Sequence, residues 1–466
     1  MLEVLTVGSF CASLFYCLFT GTSILYALIF AFFLFCGYAL YRGFSLQEIG
    51  KACRQSIAKI SNIIIVMLLI GALTASWRAS GTIAYLVSYA SEIISPSWSL
   101  LGTFILNAAL SSLIGTSFGT AATMGVVTMS LCVAMGVSPF WAGGAALAGA
   151  YVGDRCSPVS TSAQLVCAVT GTELYKNIKN MLRTGLIPFL LACLIYFFVG
   201  NGQGAQAADI DLTKLFSQEY ILSAWTLIPA IVLLTMVMLK ADIKLTMIAS
   251  IASAFVTALF LRDLGSIELC KILFSGYQAA SPEVGRLMNG GGVLSMIQVC
   301  CIISISCTFA GIFELTGMLR RLESGIAYLG AKAGVFLTIT LTALATAALS
   351  CNQMLAVILT EQLCNKIQPD KIKMAASLEN TAIVIAPLIP WSIAGAVPVA
   401  TIGAPQSCVI AAVFLWMLPV WGILVEKVLR KTYPRLSKNS SICDEFAKIK
   451  GRALTGMVKL PYQNSR

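Results

Sequence analysis

Long uncharged apolar stretches set the pattern of this chain. Between Ile93 and Gly153 there is no Asp, Glu, Lys or Arg, and Thr381–Val425 is uncharged as well. A helix needs about 20 apolar residues to cross roughly 30 Å of hydrocarbon. The pattern therefore predicts an all-α polytopic membrane protein with ten to twelve transmembrane helices, some of them discontinuous. The clearest single spans are predicted at Ile24–Leu40, Ile221–Leu239, Leu245–Leu261 and Gly291–Phe313.

Polar and basic segments divide the chain into parts. Lys and Arg concentrate in the cytoplasmic loops of membrane proteins, so the basic C-terminal tail is predicted to be cytoplasmic and the acidic central loop external. The predicted parts, in chain order, are an N-terminal transmembrane half at 1–200 (a hairpin at 1–41 and a repeat unit at about 60–200), an external polar loop at 201–220, a C-terminal half with a second repeat at 221–430, and a cytoplasmic tail at 431–466.

The composition narrows the class of protein further. With 58% hydrophobic and 11% charged residues, the chain is neither a soluble globular protein nor a disordered one. The net charge of +11 lies in loops and tail, so a lipid bilayer and not nucleic acid is the expected partner. There is no histidine, and the sixteen cysteines are scattered without a CxxC pair. We expect no structural metal, no cofactor and no enzymatic activity.

Two polar breaks occur in the same order in the two halves. Gly115–Thr120 precedes Asp154, and Ser350–Gln353 precedes Glu379; a proline-broken segment with hydroxyl groups follows each acid. Unwound backbone at membrane depth survives only where protein or a water-filled cavity satisfies its polar groups. Paired breaks also point to a transporter's binding site. We therefore expect two inverted-topology repeats, with both breaks non-helical and facing the two acids across one cavity.

Asp154 is the first candidate for function because it ends the long uncharged run. A carboxylate at bilayer depth costs about 2.5–3.5 kcal/mol on insertion scales and is usually retained for ion or proton handling. An alternative is that Asp154 and Arg155 form an interfacial ion pair that anchors a helix end. A second alternative is that the nearby hydroxyls bond to carbonyls of an earlier helical turn. The groups expected to bind the ion or substrate with Asp154 are Thr116, Ser117, Thr120, Ser157, Ser160, Thr161, Asn352, Glu379, Asn380 and Thr381.

Four strings carry a family resemblance: GTSFGTAATMG, AGAYVGDRCSPVSTSAQL, NQMLAVI and SLENTAIVIAPLIPWSIAGA. They resemble the NhaC family of bacterial sodium/proton antiporters, of the ion transporter superfamily, over residues 62–425. The resemblance implies a multi-pass protein of the bacterial cytoplasmic membrane that exports Na⁺ in exchange for protons, with Asp154 holding the transported Na⁺. Some members of that family exchange organic acids such as malate and lactate.

The chain departs from the family pattern at two positions. Members typically have Ser-Asp-Thr after the SP dipeptide, where this chain has Ser160-Thr161-Ser162, and Leu-Glu-Asp where it has Leu378-Glu379-Asn380. Two family carboxylates are therefore neutral here. This leaves open the ion stoichiometry and the substrate.

Other functions stay open at this point. Exchange of an organic anion or an amino acid would favour a cationic side chain in the cavity, such as Arg155 or Arg78. The hydropathy of the chain, taken alone, is also consistent with a channel. An intramembrane aspartyl protease needs two facing aspartates, and Asp154 stands alone between Ile93 and Thr172. A homodimer also stays open.

Overall fold

The fold is described by a computed structural model. It describes residues 2–20, 22–204, 212–239, 241–262, 264–317 and 334–432. In these ranges the regular secondary structure is helical apart from one isolated antiparallel bridge between Tyr277 and Gly290. The all-α class is thereby confirmed. The predicted cytoplasmic tail lies almost entirely outside the described residues, as does the middle of the predicted external loop.

The described N-terminal half contains eleven helices, numbered here in chain order. They are α1 (Leu2–Thr20), α2 (Ile24–Tyr41), α3 (Leu46–Lys59), α4 (Ser61–Ala79), α5 (Thr82–Ile93), α6 (Pro96–Ile114), α7 (Ser117–Thr120), α8 (Val126–Ala134), α9 (Pro139–Cys156), α10 (Thr161–Thr170) and α11 (Leu174–Gly204). A π-helical turn at Ala121–Gly125 joins α7 to α8.

The described part of the C-terminal half continues the numbering. Its helices are α12 (Leu212–Ser217), α13 (Ile228–Met238), α14 (Ile243–Arg262), α15 (Ser266–Ser275), α16 (Pro282–Met288), α17 (Ile297–Thr316), α18 (Val335–Ser350), α19 (Gln353–Cys364), α20 (Lys371–Asn380), α21 (Ala382–Ile385), α22 (Ile393–Ile402) and α23 (Val413–Thr432). Short 3₁₀ turns precede α13, α17 and α23 and follow α21.

Seven helical segments in the described ranges are long and apolar enough to cross a membrane. An eighth span arises if Lys371–Leu388 and Ile393–Ile402, which meet at a 56° bend, are one broken helix. The chain is therefore a multi-pass membrane protein. Several further apolar helices have only 10–17 residues, among them Thr161–Thr170 and Val335–Ser350. Short helices of this kind are expected where a membrane-spanning helix is interrupted.

Helix α9 lies at the centre of the packing because one of its faces is built from small residues. A Cβ atom on Gly153 would overlap the backbone of Ser111 on α6, and a Cβ on Gly149 would lie 2.6 Å from the carbonyl oxygen of Phe104. The Ser111 hydroxyl donates to the carbonyl of Ala150. Small residues let membrane helices approach closely, and here they fix the end of α9 that carries Asp154.

The break after α6 is shorter than predicted. Gly115 adopts the left-handed conformation (φ 77°) and Thr116 caps α7. The expectation that all of Gly115–Thr120 is non-helical is wrong, because Ser117–Thr120 is already helical. One left-handed residue and one N-cap redirect the chain and satisfy the freed amide of Gly119, so a longer unwound segment is not required.

The second break has the same construction. Cys351 is left-handed (φ 55°), and Asn352 accepts from the amides of Met354 (2.9 Å) and Leu355 (3.2 Å) at the start of α19. In the predicted stretch Ser350–Gln353, the first residue ends α18 and the last begins α19. Cys351 is the single non-glycine residue with positive φ in the described part of the chain.

Candidate functional site

The carboxylate of Asp154 is buried near the C-terminal end of α9 and accepts hydrogen bonds from both halves of the protein. Its Oδ2 accepts from the Ser162 hydroxyl (3.0 Å) and from the side-chain amide of Gln353 (3.2 Å). The backbone amide of Ser117 faces the same carboxylate. All three donors are neutral. Both helix breaks therefore bring a donor to Asp154, one through Ser117 and the other through Gln353.

The turn after α9 uses its serines to fix the backbone. Ser160 caps α10 by accepting from the amides of Ser162 (3.1 Å) and Ala163 (3.2 Å), and its hydroxyl donates to the carbonyl of Asp154. Ser157 accepts from the amide of Val159. Of the two predicted ligands, Ser160 thus holds the main chain of Asp154 and Ser157 holds the turn.

The first break packs directly against this turn. A Cβ atom on Gly115 would lie 2.9 Å from the amide nitrogen of Ser160. Thr116 accepts from the Gly119 amide (3.2 Å), and the Thr120 hydroxyl donates to the Thr116 carbonyl (2.9 Å). These two threonines serve the helix itself, as the structural alternative proposed. The close contact holds Ser117 beside Asp154.

Arg155 is fully buried within the protein and is engaged by groups other than Asp154. The guanidinium Nε donates to the backbone carbonyl of Glu379 (3.2 Å). The structure, which describes both residues, shows no ion pair between Arg155 and Asp154; instead Arg155, with 1% exposure, joins the end of α9 to α11 and α20. The remaining acceptors are the Met181 carbonyl, the Thr184 hydroxyl, the Asn380 side-chain oxygen and the Cys156 sulfur.

The Glu379–Thr381 segment makes three different sets of contacts. Asn380 accepts from Arg155 (2.5 Å) and contacts Thr184. The Thr381 hydroxyl donates to the Ser377 carbonyl (2.7 Å). Both carboxyl oxygens of Glu379 are buried and have no hydrogen-bond partner among the described residues. Arg155 and Asp154 are the charged groups within electrostatic reach of Glu379.

Two predicted residues have other surroundings. The side chain of Asn352 serves as the N-cap of α19. Thr161, where the NhaC resemblance leads one to expect an acid, begins α10 and is exposed. The structure therefore brings Asp154, Ser117, Glu379 and Asn380 into one buried region around Arg155, while Thr161 faces outward.

Ser162 was among the hydroxyls expected to follow Asp154 as oxygen ligands, whereas Gln353 and Tyr151 were not assigned to the site from the sequence. Ser162 and Gln353 bond to Asp154, and the buried Tyr151 hydroxyl donates to the carbonyl of Ala394 (2.7 Å). Gln353 could have been identified from the sequence, because a side-chain amide inside an apolar stretch needs hydrogen-bond partners. The difference between Ser160 and Ser162 depends on which residue caps α10, and the sequence alone does not settle that.

The geometry suits reversible binding of a small cation. An ionised carboxylate without a compensating charge is costly to bury, and the hydrogen bonds to Asp154 come from neutral groups. The adjacent guanidinium is directed to carbonyl and amide oxygens instead. A proton or a small cation at Asp154 would neutralise its charge.

Proteins with similar sequences include named Na⁺/H⁺ antiporters. The profile of the Na⁺/H⁺ antiporter family matches residues 1–166 and 149–425. An uncharacterized Na⁺/H⁺ antiporter of Haemophilus influenzae is 25% identical over 84% of this chain and 87% of its own length. The Na⁺/H⁺ antiporter NhaC of Alkalihalophilus pseudofirmus is 27% identical over 78% of this chain and 80% of its own length.

A relative with a different printed activity is the malate-2H⁺/Na⁺-lactate antiporter of Bacillus subtilis, which is 24% identical over 75% of this chain and 77% of its own length. The family match covers most of the chain and confirms the NhaC resemblance. It indicates a transporter. The protein belongs to the Na⁺/H⁺ antiporter family.

Proposed function

We propose that this protein exports Na⁺ in exchange for protons and that both ions bind at the carboxylate of Asp154. The observation that carries the proposal is the pair of neutral donors, Ser162 and Gln353, on a buried carboxylate whose neighbouring arginine is engaged elsewhere. Since one carboxylate is neutralised by one proton or one Na⁺, the two ions compete. That competition couples the two fluxes.

The two halves meet at Asp154, and this supports alternating access. Ser162 belongs to α10, and Gln353 begins α19 after the second break. A movement of one half against the other would change the donors around the carboxylate and its access to water. We propose inverted-topology repeats as the basis of this movement. Glu379 and Asn380, through Arg155, would set the electrostatic potential at the Asp154 carboxylate.

The test is ion exchange by the purified protein in liposomes with an internal pH dye. Na⁺ and Li⁺ are expected to drive proton flux, and K⁺ is the cation control. Asp154→Asn should abolish the flux while the protein remains inserted. The matched control is Asp242→Asn, because Asp242 caps α14 through the amides of Lys244 and Leu245 and Asn caps equally well. Wild-type-like flux in Asp154→Asn would refute the proposal.

Exchange of an organic acid or an amino acid is the second candidate, favoured by the malate/lactate relative. The engagement of Arg155 weighs against it. Its Nε and Nη2 donate to protein acceptors, so this guanidinium is not free to receive a substrate carboxylate. Malate, lactate and amino acids in the same liposome assay separate the candidates.

The setting of the protein is part of the proposal. Its basic tail would lie on the cytoplasmic side of a bacterial inner membrane and the loop at 201–220 outside. Na⁺ and H⁺ would be cargo, with no resident metal or cofactor. A homodimer is compatible with this arrangement and is tested by mass measurement in detergent.

A further inference from the structure

A second cluster of polar side chains lies where α4 and α14 end. Arg78 is next to last in α4, and Arg262 is the last residue of α14. Tyr220, ahead of α13, and Tyr277, after α15, are both buried there. The Arg262 guanidinium lies over the Tyr220 ring, 4.2 Å from the centroid, and donates to the Tyr277 hydroxyl (3.0 Å). The cluster is built from elements that do not hydrogen-bond to Asp154.

Two hydrogen-bond donors in this cluster are buried without a partner in the described residues. They are the Tyr220 hydroxyl and the Nε of Arg78. The two side chains lie within electrostatic reach of each other. Buried donors are rarely left unpaired in native proteins. An acceptor that reaches both groups would satisfy them together.

The described residues of the cluster carry an excess of positive charge. Arg78 donates to the carbonyls of Met288 and Asn289. Arg262 donates to the Ala79 carbonyl and to the Tyr277 hydroxyl, so the acceptors of both guanidinium groups are neutral.

One carboxylate, Glu219, lies within reach of Tyr220. It accepts from the amides of Ala280 (3.3 Å) and Ser281 (2.5 Å). Among the described residues of the cluster, two guanidinium groups and one carboxylate leave one positive charge without a counter-charge.

A glycine run packs against Arg78. Gly290, Gly291 and Gly292 all have positive φ, and a Cβ on Gly290 would lie 2.8 Å from Nη1 of Arg78. Glycine is therefore required for the backbone to pass this close. Asn289 and Gly290, whose backbone lies against the Arg78 guanidinium, are exposed, so this edge of the cluster lies at the protein surface.

We propose that this cluster binds a small monoanion, a halide or a monocarboxylate, through the Arg78 Nε, the Tyr220 hydroxyl and the charge of Arg262. A monoanion matches the single excess charge, and its lone pairs match the two unpaired donors. Hydrogen bonds from arginine to anions are charge-assisted and strong.

The test measures thermal unfolding of the purified full chain in detergent with N-methylglucamine salts, so that Na⁺ is absent. Chloride or acetate should raise the melting temperature in a saturable way, and sulfate at matched ionic strength should not. A response to chloride alone assigns a halide site, and a response to acetate assigns a monocarboxylate site. No saturable response to either anion would overturn the proposal.

Two variants make the assignment specific. Tyr220→Phe removes an unpaired hydroxyl, so it should melt like wild type without anion, yet need about tenfold more anion for half-saturation. Arg78→Lys keeps the charge but loses the Nε donor, and the same weakening is expected. Tyr89→Phe, at an exposed tyrosine, should respond like wild type. Wild-type affinity in both Tyr220→Phe and Arg78→Lys would also overturn the proposal.

Discussion

Asp154 and Glu379 are two equally buried carboxylic acids with opposite surroundings. Asp154 is 4% exposed and accepts from Ser162 and Gln353, whereas Glu379 is 0% exposed and its oxygens have no hydrogen-bond partner among the described residues. Burial alone therefore does not define an ion site. Neutral donors hold the Asp154 carboxylate, and we propose that a cation can replace a proton there; Glu379 lies beside Arg155 without a donor of its own among the described residues, and we propose that it acts on the site through electrostatics alone.

The largest expected difference between the two acids is in exchange itself. Asp154→Asn should lower Na⁺-dependent proton flux to the background of empty liposomes, because the amide binds neither ion. Glu379→Gln should retain measurable flux. An equal loss of proton flux in both variants would contradict the different roles given to the two acids. It would mean that Asp154 and Glu379 form one ion-binding site.

The next largest effect is expected at Asn380, where the family has an acid. Asn380→Asp places a carboxylate on the Arg155 guanidinium and changes the charge that the empty carrier moves. Moving one elementary charge across the membrane changes the free energy by about 2.3 kcal/mol per 100 mV. The voltage dependence of transport should therefore shift. Thr161→Asp is the matched variant, and its exposed position predicts little change. An unaltered voltage profile in a functional Asn380→Asp protein would contradict this expectation.

A moderate effect is expected from Glu379→Gln on Na⁺ affinity. Removing a nearby negative charge should weaken apparent Na⁺ affinity by about tenfold, as expected for loss of roughly 1.4 kcal/mol of Coulomb attraction. The melting temperature should not fall, because no hydrogen bond to the carboxyl oxygens is lost. Na⁺ titration of proton flux measures the first effect, and thermal unfolding the second. A strongly destabilised variant would mean that Glu379 has a structural partner.

The smallest effect is expected from the donors of Asp154. Ser162→Ala removes one hydrogen bond, worth about 0.5–1.5 kcal/mol, so Na⁺ affinity should change by about two- to tenfold with flux retained. Ser112→Ala is the control, since Ser112 bonds to the Ala108 carbonyl in its own helix. Equal changes in Na⁺ affinity from the two substitutions would show that Ser162 does not contribute to the site.

Much of the architecture was predictable because hydropathy reports directly on membrane spans. The two breaks were also located from polar residues in apolar runs. The length of each break was not predicted, because a left-handed Gly115 or Cys351 followed by a capping side chain shortens the unwound segment. The inverted repeat stays a prediction, as does the placement of the tail.

The candidate site was only partly predictable, for a similar reason. Asp154 follows from its position after a long uncharged run, but the sequence could not assign Ser160 to a cap and Ser162 to the carboxylate. Arg155 next to Asp154 suggested an ion pair. Instead the tertiary structure offers the guanidinium the Glu379 carbonyl and Asn380, which are more than 200 residues away in sequence.

The central claim is that Na⁺ and H⁺ share the Asp154 carboxylate, and equilibrium Na⁺ binding as a function of pH tests it most directly. Binding of ²²Na⁺ to purified wild-type protein should weaken as pH falls, approaching tenfold per pH unit once the proton occupies the site. Asp154→Asn should bind no Na⁺ at any pH, while Asp242→Asn should bind like wild type. Na⁺ binding that is independent of pH, or that survives in Asp154→Asn, would contradict the account.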